Sequence, residues 1–289
     1  MKLISVPYYD LFRCKAGDCH HNCCIGWEID IDDRSLMRYM NEEGELGKEL
    51  RANIVKGDVS SFCLDGEKRC HFLNENGLCE LIVKKGESFL CEICTEHPRF
   101  YNVYQEFTER GVGLSCEAAA ELILGNDESY PDYGGFEDEF LRFKYKMLSD
   151  EERTVPFSER LRRLKDVACI KEIDTVMLSR FLSGLEAIDT VWTDKMKHSV
   201  IPCLRPDNFS DVYMNRFLDY LIFRQLNDEG YIFEQLVFCI AMAELMSVLC
   251  CSCDTPEDVY ENCRLFSQEI EYSPDNMEAV FDYIDENYV

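Results

Sequence analysis

Residues 14–32 read CKAGDCHHNCCIGWEIDID and carry four cysteines spaced C-x4-C-x3-C-C. Short spacings of this kind let one loop present several thiolates to one metal ion, because few backbone torsions must be fixed to aim them. Residues 69–94, RCHFLNENGLCELIVKKGESFLCEIC, add a C-x8-C pair and a C-x2-C pair that could close a site from the other side. The pattern predicts a metal-binding module whose folding is coupled to the metal.

The chain has 17 cysteines in 289 residues, and ten of them precede residue 117: Cys14, Cys19, Cys23, Cys24, Cys63, Cys70, Cys79, Cys91, Cys94 and Cys116. The first residues, MKLISVPYYD, contain no basic segment followed by an apolar stretch, so we expect no secretion signal and a cytoplasmic protein. In a reducing compartment, clustered thiols are more often metal ligands than disulfides. A structural zinc ion and a cubane iron–sulfur cluster each need four ligands, so spacing alone does not separate them.

The net charge of −26 is concentrated in the second part of the chain. Residues 118–289 hold 35 acidic and 16 basic side chains, a net charge of −19. Such a surface repels phosphate, which argues against nucleic acid as a partner and is compatible with a lysine-bearing protein partner. The longest apolar run, residues 236–253, is interrupted by Glu244 and is shorter than the ~20 residues of a membrane span. We therefore expect a buried helix and no membrane partner.

Hydrophobic periodicity predicts a mainly α fold. Residues 1–125 form the predicted cysteine-rich module, stapled by metal and containing short strands, and residues 137–289 form a predicted helical region on which it packs. NDESYPDYGGF, residues 126–136, is the predicted linker. Aromatic and aliphatic residues recur at helical spacing within residues 213–223 and 233–241.

Local signals mark several element boundaries. Residues 74–77, NENG, predict a turn between two short segments that end in cysteines, and Gly86 is expected to end the helix that follows. Residues 255–258, TPED, and residues 273–275, SPD, each place a hydroxyl before a proline, as at a helix N-terminus.

Four later cysteines gather near one helix end: Cys250, Cys251 and Cys253 follow an apolar helix, and Cys263 lies in the next. A second metal site there is conceivable, but buried helical cysteine is the commoner arrangement and is the one we predict.

Three blocks together resemble the flagellin lysine-N-methylase family. They are C-x4-C-x3-CC-x-GW-x-I-x-ID at residues 14–32, RCHFLNENGLCELIVKKGESFLCEICTEHPRFYN at residues 69–102, and LSCEAAAELIL at residues 114–124. Weaker similarity continues through NRFLDYLIFRQL, residues 215–226. The first part also resembles the broader zinc- or iron-chelating cysteine-rich domains.

The resemblance implies a ligand set and an activity. The family pattern covers Cys14, Cys19, Cys23, Cys24, Cys70, Cys79, Cys94 and Cys116, which are the predicted metal ligands, whereas Cys63 and Cys91 lie outside it. The implied activity is methyl transfer from S-adenosylmethionine to lysine ε-amines of flagellin or another lysine-bearing protein, with an iron–sulfur cluster, or alternatively zinc, as the metal cofactor.

The sequence itself singles out neither a methyl-donor site nor a catalytic residue. It has no Gly-rich strand-to-helix loop of the usual methyltransferase fold and no C-x3-C-x2-C motif of the radical type. Tyr101, Tyr104, Tyr213 and Tyr220 are among the many side chains that could deprotonate a lysine. Two alternatives stay open at this point: a non-enzymatic metal-binding or metal-sensing protein, and an iron–sulfur redox protein.

Overall fold

The computed structural model describes residues 2–131, 136–198 and 209–288. The strands are β1 (Lys2–Ser5), β2 (Asp30–Ile31), β3 (Ile54–Val55), β4 (Ser60–Phe62), β5 (Arg99–Val103) and β6 (Phe107–Val112). The helices are α1 (Asp33–Asn41), α2 (Gly44–Ala52), α3 (Glu80–Lys85), α4 (Glu92–Glu96), α5 (Glu117–Gly125), α6 (Glu139–Met147), α7 (Asp150–Arg153), α8 (Phe157–Val167), α9 (Thr175–Leu182), α10 (Thr190–His198), α11 (Phe209–Gln225), α12 (Ile232–Cys250), α13 (Pro256–Phe266) and α14 (Pro274–Tyr288). The predicted mainly α fold is confirmed.

The chain divides into two compact units. The cysteine unit comprises residues 13–99, and the helical unit comprises residues 1–12 together with residues 100–289. The predicted division was different, because it assigned residues 1–125 to one module. Strand β1 pairs in parallel with β6, and this pairing makes the first residues of the chain part of the helical unit. The predicted linker, residues 126–136, falls partly outside the described residues.

The cysteine unit has a small core of its own. Strand β4 pairs antiparallel with β2 and with β3, and α1 and α2 pack against each other. Its buried apolar side chains are Ile29, Ile31, Tyr39, Leu50, Ile54, Phe62, Cys70, Phe72, Leu73, Leu81, Phe89 and Cys91. The Tyr39 ring packs at a tilt against those of Phe62 and Phe89, and its hydroxyl donates a hydrogen bond to the Phe89 carbonyl at 2.9 Å.

The local signals for turns and caps are confirmed. The turn at residues 74–77 is closed by a hydrogen bond from the Gly77 amide to the Asn74 carbonyl, and Gly77 takes φ +71°, which favours glycine. Gly86 ends α3. Thr255 and Asp258 form a reciprocal capping box at the start of α13. Ser273 accepts a hydrogen bond from the Asn276 amide in the first turn of α14.

Helix α12 is the central helix of the helical unit. It packs against α8, α9, α11, α13 and α14, and most of its side chains from Gln235 to Cys250 are buried. By length and composition it could cross a membrane, and among the described residues it is the one helix that meets that test. Because 67% of its most apolar window is buried inside the protein, its hydrophobicity is explained by core packing, as the sequence predicted.

A buried ion pair joins the sheet of the helical unit to its helices. Lys144 in α6 and Glu109 in β6 are both fully buried, and the Lys144 Nζ lies 2.6 Å from Glu109 Oε2. The ammonium group also donates to the Phe223 carbonyl at 2.9 Å and to the Tyr104 hydroxyl at 3.2 Å. Tyr145 donates to the other carboxylate oxygen of Glu109 at 2.7 Å. Desolvation lowers the pKa of Lys144, and the charge of Glu109 opposes that shift.

We expect Lys144→Met to lower the free energy of unfolding by about 3–5 kcal/mol, because it leaves the Glu109 carboxylate buried without a cation. Lys146 is the matched control: it is exposed on the same helix, and Lys146→Met should change stability by less than about 0.5 kcal/mol. Urea unfolding followed by circular dichroism measures both. Equal stabilities of the two variants would show that the ion pair contributes nothing.

Candidate metal centre

Six cysteines of the cysteine unit lie near one another, five of them in or against its core. We call this group the thiol cluster; its members are Cys23, Cys24, Cys70, Cys79, Cys91 and Cys94. Cys70 and Cys91 are buried core residues, and Cys24, Cys79 and Cys94 are half-buried against the same core. Cys23 is exposed. The cluster therefore extends from the core to the surface of the unit.

Backbone pairing brings the first two segments of the cluster together. The Cys70 amide donates to the Cys24 carbonyl at 2.8 Å, and the adjacent Ile25 and Arg69 form an antiparallel bridge. The Cys24 amide in turn donates to the side chain of Asn22 at 2.9 Å. Cysteines separated by 46 positions in the sequence are thus placed side by side by main-chain hydrogen bonds.

The turn at residues 74–77 brings Cys79 back toward the same region. Leu73 and Cys79 form an antiparallel bridge, and the Glu80 amide donates to the Phe72 carbonyl at 2.8 Å. Cys79 directly precedes α3. The hairpin thus lies within the C-x8-C segment from Cys70 to Cys79.

Asp32 fixes the position of Cys91 and Cys94. Its carboxylate caps α1 by accepting from the Ser35 amide at 2.9 Å, and its second oxygen accepts from the Glu92 amide at 2.9 Å. Glu92 is the first residue of α4, which begins after Cys91 and contains Cys94. Burial acts to raise the pKa of Asp32, but the hydrogen bonds from the Glu92 and Ser35 amides outweigh it and the pKa is lowered.

Hydrogen bonds between neighbouring thiols and burial shift the pKa values within the cluster. The hydrogen bond with Cys24 lowers the pKa of Cys23, whereas the same bond and then burial raise the pKa of Cys24. Cys91 and Cys94 form a second pair of this kind, with the pKa of Cys91 lowered and that of Cys94 raised. Burial raises the pKa of Cys70 to about 11.

The cluster thiols also act on one another through charge. Cys24 interacts with Cys70 and Cys94, and Cys79 interacts with Cys23 and Cys91; in each case a neighbouring thiolate raises the pKa. Several thiolates at this spacing repel one another, and a divalent cation or an iron–sulfur cluster would offset that repulsion. The donor chemistry of the cluster therefore fits zinc or iron–sulfur ligation.

The thiols are hydrogen-bonded rather than arranged around a metal position. In the described part of the chain, no group of three or more His, Cys, Asp or Glu side chains has the arrangement of a formed metal site. Metal binding would require the cysteine side chains to rotate inward and to lose their protons. The metal and its ligand set therefore stay predictions.

Five of the eight predicted ligands belong to the thiol cluster, and three have other surroundings. Cys14 is exposed, and its sulfur accepts from the Ala16 amide at 3.3 Å. Cys19 donates to the His21 carbonyl at 3.4 Å. Cys116 belongs to the helical unit, where it precedes α5 and packs against the core.

Cys91 belongs to the thiol cluster but is not among the predicted metal ligands. It lies outside the family pattern, although its C-x2-C spacing with Cys94 is a ligand signal in its own right. In the structure it is fully buried and hydrogen-bonded to Cys94. His71, by contrast, has its Nε2 3.3 Å from Glu49 Oε1, so its hydrogen-bonding partner is a carboxylate outside the thiol cluster.

Comparison with known proteins gives three distant relatives. The flagellar biosynthetic protein FliU of Salmonella muenchen is 23% identical over 141 residues, covering 45% of this chain and 82% of that protein. The proteins named lysine-N-methylase of Salmonella typhimurium and Salmonella choleraesuis are each 23% identical over 142 residues, covering 45% of this chain. This chain is similar to lysine-N-methylases.

The extent of that similarity is limited. The match spans 35% of the length of each of the two methylases. No protein-family model matches the chain. No solved structure matches it either. The relatives therefore support a distant relationship to proteins named lysine-N-methylase and to a flagellar biosynthetic protein.

If the thiol cluster holds metal, Cys91→Ser and Cys79→Ser should each weaken metal binding by about tenfold or more, since even outer-shell changes cost that much. Because metal binding contributes to folding, both variants should also destabilise the cysteine unit. Elemental analysis and sulfide determination on anaerobically purified protein measure the loss.

Cys239→Ser and Cys169→Ser are the controls, since Cys239 is buried in α12 of the helical unit and Cys169 is exposed in the same unit. Both should retain the metal content of the native protein. Equal metal loss in all four variants would contradict the assignment of the site to the thiol cluster.

Proposed function

We propose that this protein transfers a methyl group from S-adenosylmethionine to lysine ε-amines of flagellin or of another lysine-bearing protein. The observation that carries the proposal is the similarity to two proteins named lysine-N-methylase and to a flagellar biosynthetic protein. The cysteine blocks on which the resemblance rests form most of the thiol cluster, so the feature shared in sequence is also a structural unit.

The reaction is an in-line displacement. The nitrogen lone pair of a neutral lysine attacks the methyl carbon, a C–N bond forms, the C–S bond breaks, and S-adenosylhomocysteine leaves with the electron pair. No electron transfer is required. The lysine must first lose a proton, and because its pKa in water is ~10.4, the site has to desolvate the amine or supply a base.

Two of the four tyrosines considered as bases are committed to the core. Tyr104 is buried and donates to Glu109 at 3.3 Å, and burial together with that carboxylate raises its pKa. Tyr220 is buried and donates to Glu271 at 2.6 Å, and burial raises its pKa well above the usual value. Neither side chain can accept a proton from a substrate in that state. Tyr101, which is 45% exposed, is accessible to a protein substrate.

A metal ion or iron–sulfur cluster held by the thiol cluster would cross-link the segments that carry Cys23, Cys70, Cys79 and Cys91. That role is structural, because methyl transfer to an amine needs no redox partner. The cross-linked segments would then keep the surface of the cysteine unit in one conformation. The chain's own contribution is to position these four segments: main-chain hydrogen bonds join the segments of Cys23, Cys70 and Cys79, and the Asp32 carboxylate accepts from the Glu92 amide beside Cys91.

A second candidate function is metal binding or sensing without catalysis. It is favoured by Cys23, whose hydrogen bond with Cys24 lowers the pKa of its thiol. A thiol with a lowered pKa is more readily converted to the thiolate, which is the form that binds metals and reacts with oxidants. Binding of S-adenosylmethionine separates the two functions, because only the methyltransferase needs it.

Methyl transfer is tested by mass spectrometry of flagellin from cells with and without the gene. We expect lysine methylation to be lost without the gene and restored by the native copy. In a reaction with purified protein, the initial rate should rise with pH toward the effective pKa of the amine. It should fall with salt, because the Debye length shrinks from ~10 Å at 0.1 M to ~3 Å at 1 M and screens the acidic surface.

Complementation with Cys79→Ser and Cys239→Ser relates the activity to the metal. We expect the first variant to fail and the second to restore methylation. Identical flagellin masses in both strains, with no other methylated protein lost, would contradict the methyltransferase function and leave metal binding as the better candidate.

A further inference from the structure

Three cysteines of the helical unit meet where α12 ends and α13 begins. Cys250 is the last residue of α12, Cys253 lies in the following turn and Cys263 is in α13. All three are buried. The Cys253 amide donates to the Cys250 carbonyl at 3.0 Å, and the Cys250 thiol is hydrogen-bonded to the thiols of both Cys253 and Cys263. The C-x2-C spacing and the next helix thus bring three sulfurs together.

The side chain of Asn262 completes this group. Its Nδ2 lies 3.2 Å from the sulfur of Cys253 and 3.7 Å from that of Cys250. The residue is only 3% exposed, and its Oδ1 is buried without a hydrogen-bond partner. A buried oxygen without a hydrogen-bond partner lowers stability by about 1–3 kcal/mol, and a ligand that bound the oxygen would offset this cost. Because amide oxygen and nitrogen are nearly interchangeable in shape, a half-turn of the side chain places Oδ1 beside the sulfurs.

A cavity of about 260 Å³ gives access to the group from solvent. Cys253 and Asn262 line it, together with Lys195 and the acidic side chains of Asp254, Asp258 and Glu261. The hydrogen bond with Cys250 and then burial raise the pKa of Cys253, and the Lys195 ammonium acts in the opposite direction. A cation can enter through the acidic rim, and Lys195 lies where it can offset excess thiolate charge.

We infer that Cys250, Cys253 and Cys263 form a second metal site for a thiophilic divalent cation of the zinc class, with the amide oxygen of Asn262 as the fourth donor. Three thiolates select such a cation over magnesium or calcium, which prefer oxygen ligands. Each thiol releases one proton to solvent as its sulfur binds, so a divalent ion and three thiolates leave one negative charge beside Lys195. The site would clip α12 to α13.

The site is separate from the thiol cluster and does not depend on the proposed methyl transfer. Within residues 2–131, 136–198 and 209–288 no three His, Cys, Asp or Glu side chains are placed where they could hold a metal ion. Metal binding therefore requires the three cysteines to turn away from their hydrogen-bonded arrangement. Cys251 is disulfide-bonded and is not among the ligands.

Cobalt titration of the full-length protein tests the inference, because Co²⁺ replaces zinc and gives a thiolate charge-transfer band. Cys263→Ser should bind one metal equivalent less than the native protein. Cys239→Ser is the matched control, because Cys239 is a buried cysteine of α12, the helix that ends at Cys250, and is not among the proposed ligands. Since the two sites are independent, the loss should add to that of Cys79→Ser in the double variant. Equal stoichiometry in the native protein and in Cys263→Ser would overturn the second site.

A second variant keeps the inference testable if Cys263→Ser does not fold. Asn262→Asp replaces the neutral oxygen donor by an anionic one, so it should tighten Co²⁺ binding and increase the rise in melting temperature on adding zinc. A merely hydrogen-bonded thiol group would show no such gain. A Cys250–Cys253 disulfide in protein that binds no metal there would also overturn the proposal.

Discussion

The cysteine unit depends on one constraint, which is that thiols occupy positions in its small apolar core. Small domains bury a smaller fraction of their surface than large ones, and the smallest commonly need a cross-link or a metal. Here Cys70 and Cys91 are core residues, and three more cluster thiols lie against that core. Because a buried thiol favours its neutral form while a metal-bound one stays deprotonated, metal binding to the cluster would change the stability of the unit around it.

The sequence predicted the local features of the fold because they have short-range causes. The cap at Thr255, the turn before Gly77 and the end of α3 at Gly86 each follow from backbone chemistry within a few residues. The candidate site was predictable in its residue types and in five of its six members. Cys91 was not predicted as a ligand because it lies outside the family pattern, although its C-x2-C spacing to Cys94 is typical of a ligand pair.

Long-range arrangements and buried charges were not predictable from the sequence. Nothing local indicates that residues 1–12 belong with residues beyond 100, because periodicity carries no information about which strands pair. The same is true of Lys144 and Glu109, which composition alone would place at the surface but which are fully buried as a pair. The burial of a charged side chain can be predicted only when its partner is known, and Lys144 and Glu109 are 35 positions apart in the sequence.

The parallel pairing of β1 with β6 has a consequence for the order in which the chain acquires its structure during synthesis. Lys2 pairs with Phe107, so the first strand has no partner until more than a hundred further residues have been made. At roughly 5–20 residues per second this interval lasts on the order of 5–20 seconds. The whole of the cysteine unit is translated within it, so its thiols can encounter a metal before the helical unit begins to close.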